Sequence, residues 1–166
     1  MWHGGWCWSR VAELLRARGH KVTTPTQTGL GERKHLMSAS ITLDTFVADI
    51  VNHLEWDDLN EVVLVGHSFG GAPISGAADQ APSRIAKLIY LDAAIMEDGE
   101  SWFGLLPPEI VAERTKSAQD FSGGLSLPPP APANFGVTDP SDLAWLARYL
   151  TPHPFATLIT PLRLKH

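Results

Sequence analysis

The chain has 166 residues, 44% of them apolar and 19% charged, which suits a single domain with a real core. A formal charge of −5 argues against the basic footprint of a nucleic-acid binder, and a lone cysteine, Cys7, excludes an internally cross-linked scaffold. No apolar run reaches the ~20 residues of a membrane helix, and Met1 to Arg10 has no charged leader followed by an apolar stretch, so a cytoplasmic globular protein is expected.

The first expected helix is Trp8 to Arg18, where Trp8, Val11, Ala12 and Leu15 share a face, Ser9 is the N-cap and Gly19 closes the last turn. Lys21 to Thr24 reads as a short strand stopped by Pro25, and a polar loop follows from Thr26 to Ser40. The clearest helix is Thr42 to Trp56, with Leu43, Phe46, Val47, Ile50 and Leu54 as its apolar stripe and Thr42 as its cap. Glu61 to Val65 and Ile85 to Leu91 are continuous apolar runs of the kind buried in a parallel sheet, separated by a small-residue helix from Ala72 to Gln80. Strands alternating with helices predict an α/β fold, a parallel sheet with helices on both faces.

Composition changes near residue 93, and ten of the thirteen prolines lie at Pro107 or beyond. Residues 1–92 therefore read as an α/β core and residues 93–166 as a helical cap, with helices expected at Pro108 to Ala118 and Ser141 to Tyr149. Pro128, Pro129 and Pro130 break any regular element between them.

Gly66-His67-Ser68-Phe69-Gly70-Gly71 contains the pattern G-x-S-x-G. The pattern alone is weak, but a buried strand just before it and a helix just after it are what a nucleophile elbow requires. Ser68 is the candidate nucleophile, held in a strained turn above the sheet. Gly66 and Gly70 leave room where a Cβ would clash, and the Phe69 N–H points at a developing oxyanion from the helix N-terminus. No P-loop lysine and no G-x-G-x-x-G fingerprint accompany the turn, so phosphate binding is disfavoured. At the start of the chain, Gly4 and Gly5 precede a helix, an arrangement that lets backbone approach a ligand closely.

Trp2-His3-Gly4-Gly5-Trp6-Cys7-Trp8, Thr28-Gly29-Leu30-Gly31-Glu32-Arg33 and Gly66 to Gly71, in this order, resemble the α/β-hydrolase superfamily. More narrowly, they resemble the branch holding bacterial esterases, plant methyl-ester esterases and hydroxynitrile lyases. The resemblance implies a partial α/β-hydrolase fold with an inserted helical cap, a serine hydrolase acting on small carboxylic esters, and no cofactor. It puts Met1 at the position of the second backbone oxyanion donor. It also implies that the strand preceding this position, and the triad acid and histidine, lie outside Met1 to His166.

Seven histidines could substitute for that base. His67 adjoins Ser68 but neighbours in an elbow point apart. His3 reads as structural, and His20, His35 and His53 as ordinary surface or packing residues. His153 and His166, in the cap or its exit, are the two able to swing over the site. Asp92, at a strand end, is an alternative acid or a helix cap. Trp102 and Phe103 read as packing or as an acyl-pocket wall. No metal-ligand spacing is present. A hydroxynitrile lyase, or a non-catalytic fragment that self-associates through exposed sheet edges, stands as the alternative to an esterase.

Overall fold

The computed structural model describes all residues from Met1 to His166. A 3-10 turn at Gly5–Trp8 leads into α1 (Ser9–Ala17), so Ser9 is the first helical residue and Trp8 the cap. Along α1, Ala12 is buried while Val11 and Leu14 are exposed. The expected strand at Lys21 to Thr24 does not form, because no strand lies beside it to exchange ladder bonds. The polar loop contains a 3-10 segment, Gly31–Leu36, and buries Leu30.

Helix α2 (Leu43–Trp56) follows the sequence reading closely. All five stripe residues are buried, and the Thr45 hydroxyl accepts the Thr42 N–H at 3.1 Å to close the first turn. Next come β1 (Val62–Ser68), α3 (Gly71–Gln80) and β2 (Ile85–Ala93), a βαβ unit whose two strands pair in parallel. Residues 93–166 supply α4 (Pro108–Ser122), a two-residue bridge between β3 (Ser126–Leu127) and β4 (His153–Pro154), α5 (Pro140–Tyr149) and α6 (Ala156–Ile159). Asp139 caps α5 by accepting the N–H groups of Ser141 and Asp142.

The sheet departs from expectation on one point. Helices α2 and α3 cover a single face, where Ile50, Leu54, Ile74 and Ala77 pack against Val62, Leu64, Leu88 and Tyr90. The opposite face carries Val63, Val65, Ile89 and Leu91, all exposed. Strand side chains alternate, so covering one face from α2 and α3 leaves the odd-numbered positions bare. The main core is elsewhere. It joins Leu30, Phe46 and Phe69 from residues 1–92 to Met96, Phe103, Ala118, Leu127, Leu158 and Leu162 from residues 93–166.

Candidate active site

Ser68 is the last residue of β1 and lies two residues before the end of the turn that starts α3 at Gly71. Its φ is +54°, the left-handed region that a side chain occupies only under constraint. The constraint comes from close packing around the turn. A Cβ on Gly66 would stand 2.5 Å from the Gly70 carbonyl oxygen and 2.8 Å from Ile74 Cδ1, and one on Gly70 would stand 2.9 Å from the His67 oxygen. Only glycine fits at both positions, and the chain has no slack to relax Ser68.

The turn is closed by the Gly70 N–H donating to the His67 oxygen at 2.8 Å and the Ala72 N–H donating to the Phe69 oxygen at 3.1 Å. Neither bond uses the Phe69 N–H. Gly70, the residue before α3, offers no side-chain cap; its own N–H and that of Ala72 are used within the turn, and Pro73 has none. Ser68 is half-buried and Phe69 is buried. The Phe69 ring locks the turn onto the core through edge contacts with Phe46 at 6.3 Å, His153 at 5.1 Å and Trp102 at 5.7 Å.

Asp92 caps no helix. The register passes from His67 opposite Leu91 to Ser68 opposite Ala93, so Asp92 is the extra residue of a bulge beside Ser68. Its φ is +44° and its side chain is exposed.

His153, one of the two expected to reach the site, is held in the core instead. It is fully buried, its Nε2 lies 2.9 Å from the Thr157 hydroxyl, and its Nδ1 faces the Trp2 N–H at 3.4 Å. Thr157 donates to the Pro154 oxygen at 2.7 Å, so the proton sits on Nε2 and Nδ1 is the acceptor. Burial holds its pKa well below the usual imidazole value. His166 lies at the far side of α3, where its backbone N–H donates to Asp79. His3 bonds the Met1 oxygen through Nδ1 at 2.7 Å and stacks on Trp6; burial lowers its pKa. No histidine forms a hydrogen bond with the Ser68 hydroxyl.

The paired glycines near the start lie close against residues 24–26. A Cβ on Gly5 would stand 1.8 Å from the Thr24 oxygen, and the Gly5 N–H donates to the Thr26 hydroxyl at 2.8 Å. This close contact seats the start of the chain on residues 24–26. Met1 packs against the same cluster as Phe69, and burial lowers its amine pKa to about 6. Cys7 is half-buried, with a thiol pKa raised to about 11 by desolvation.

A strained serine between a parallel strand and a helix, with a free backbone N–H beside it, defines an α/β-hydrolase elbow. The Alpha/beta hydrolase family profile matches residues 1–166, and the chain belongs to that family. It is 42% identical over 171 residues to a carbendazim hydrolyzing esterase of Nocardioides sp. (strain SG-4G), covering 98% of this chain and 70% of that esterase. It is 38% identical over 99 residues to the putative chloroplastic methylesterase 11 of Arabidopsis thaliana, covering 59% of this chain and 25% of that protein. Among solved structures, an extracellular α/β-hydrolase from a Paenibacillus species superposes with a TM-score of 0.87 at 28% identity, covering 99% of this chain and 68% of that one. The methylesterase MES16 from Arabidopsis gives 0.67 at 25% identity, covering 98% and 67%. These named relatives are esterases or hydrolases, so the resemblance to carboxylic-ester hydrolases stands and the lyase reading is not favoured over it. No helix is long and apolar enough to cross a membrane.

Proposed function

We propose that Ser68 is the nucleophile of a carboxylic-ester hydrolase acting on small-molecule esters, the Phe69 N–H is an oxyanion donor, and the Met1 backbone nitrogen is a second. The reading is carried by the φ of +54° at Ser68, held between Gly66 and Gly70 at the tip of β1. In the reaction the Ser68 oxygen bonds to the ester carbonyl carbon, the carbonyl oxygen takes the negative charge, and the bond to the alkoxy oxygen breaks. The serine proton passes to water and the alcohol leaves protonated; a second water then frees the acid from the serine. Residues 1–92 carry this machinery and residues 93–166 cover it.

A general base contributes ~10²–10⁴-fold, and no histidine of this chain touches the Ser68 hydroxyl. The chain alone should therefore hydrolyse p-nitrophenyl acetate slowly, and Ser68→Ala should bring the rate to that of buffer. A Ser68→Ala rate equal to wild type would move the hydrolysis to some other group and end the reading. With its one thiol unpaired, nothing in the chain requires an oxidising compartment. A cytoplasmic site of action is proposed on that ground, with cell fractionation as its test.

A further inference from the structure

The turn at Ser68 runs straight into α3, so the aim of its N–H groups follows the seat of that helix. The Ala72 N–H donates to the Phe69 oxygen at 3.1 Å and the Ile74 N–H to the Gly70 oxygen at 3.4 Å, which joins the turn and the start of α3 into one hydrogen-bonded unit. The buried residues of α3 are mostly small, among them Gly71, Ala72, Gly76 and Ala77. Gly71 lies so close to the end of β2 that a Cβ there would stand 2.0 Å from the Ala94 oxygen. Small residues allow this approach but raise only shallow ridges, so packing alone fixes the rotation of such a helix weakly.

One polar contact adds what the packing lacks. The Ser75 hydroxyl donates to the Gly71 oxygen at 2.9 Å, one turn back toward Ser68. That donation uses its only proton, so the Tyr90 hydroxyl, 2.7 Å away, donates to Ser75. This is the one side-chain hydrogen bond between α3 and the strands β1 and β2. Both residues are half-buried, and Tyr90 packs against the cluster that holds Ile74 and Ala77. A directional tie therefore runs from β2 through Ser75 to the first residue of α3.

We propose that Tyr90 is a positioning residue for hydrolysis at Ser68: through Ser75 and the Gly71 oxygen it fixes the rotation of α3, and with it the aim of the Phe69 N–H. This assignment rests on the ester-hydrolase reading of Ser68. An oxyanion donor works by its direction, so a small rotation weakens it in the transition state and leaves substrate binding alone.

Steady-state hydrolysis of p-nitrophenyl acetate by Tyr90→Phe, Ser75→Ala and the double variant tests it. One neutral hydrogen bond is worth about two- to tenfold in an equilibrium constant. In Tyr90→Phe, kcat and kcat/KM should therefore fall together by about two- to tenfold, with KM unmoved. The two hydroxyls act in series, so the double variant should be no slower than the slower single variant. Amide hydrogen exchange followed by NMR gives a readout without turnover. The Gly70 and Ala72 N–H groups, bonded within the turn, should exchange faster in Tyr90→Phe, while those of Ile50 and Leu54 in α2 stay as in wild type. An unchanged kcat, a loss confined to KM, losses that multiply in the double variant, or faster exchange in α2 as well overturns the positioning role. Ser68-dependent hydrolysis with a wild-type kcat in Tyr90→Phe ends that role and spares the esterase reading. A Ser68→Ala rate equal to wild type, with faster exchange at Gly70 and Ala72 in Tyr90→Phe, ends the esterase reading and leaves Tyr90 as the tie that orients the turn.

Discussion

Replacing Ser68 by glycine should make the protein more stable and inactive at once. The φ of +54° costs an L-residue ~1–2 kcal/mol, because Cβ crowds the following carbonyl. Glycine escapes that cost but loses ~0.5–1 kcal/mol more chain entropy on folding. The net gain is about 0.5–1 kcal/mol. The Ser68 hydroxyl makes no hydrogen bond within the protein, so removing it forfeits little. Ser68→Ala isolates the backbone term, since alanine keeps the Cβ and the strain and should stay near wild type. Urea unfolding followed by far-UV circular dichroism measures both variants. With a slope of ~2 kcal/mol per molar, the glycine midpoint should exceed the alanine midpoint by roughly 0.3–0.5 M. If the glycine variant were no more stable than the alanine variant, the turn would not be under strain, and the account of how Ser68 is held would be wrong.

Gly66→Ala should abolish hydrolysis with Ser68 still present. The new methyl meets the Gly70 backbone at 2.5 Å, and overpacking of this kind costs ~1–3 kcal/mol; an active Gly66→Ala protein would refute the clash. Stability should fall below pH 6.5, because the unfolded chain protonates His153 there while the buried ring stays neutral. Above that pH the ring is neutral in both states and the effect vanishes. Between pH 7.5 and 5.5 the loss from this residue is about 1.4 kcal/mol. His153→Asn should flatten the profile in denaturant midpoints, and an unchanged slope would count against the assignment. The bare face of Val63, Val65, Ile89 and Leu91 should drive self-association at micromolar concentration. Light scattering should find multimers that Val65→Lys reduces to monomers, and a monomeric wild type would dismiss the idea.

The elements legible in the sequence were those whose cause is local. The α2 stripe sits at helical spacing within one segment. The elbow needs only Gly66, Ser68, Gly70 and the strand and helix on either side. What escaped depends on distant partners. Nothing within Lys21 to Thr24 says that no strand lies beside it, and the apolar runs around Val63 and Ile89 read as buried on both faces because a run shows composition, not neighbours. Gly4 and Gly5 announce a close approach without naming Thr24 as its object. The place of His153 in the chain suggests a working base, and only the fold brings it against Phe46, Phe69 and Thr157.

The geometry at Ser68 has a kinetic side. Each group that crowds the turn, from Gly66 through Ile74 to the Ala94 oxygen packed against Gly71, lies within residues 62–94. The strand, the turn, the crossover helix and the pairing strand are contiguous, so the loops closed in building them are short and their entropic cost is low. The elbow can therefore take shape within its own βαβ unit, before residues 93–166 arrive over Phe69. The strain at Ser68 is set locally, and the later half of the chain settles onto a turn that is already made.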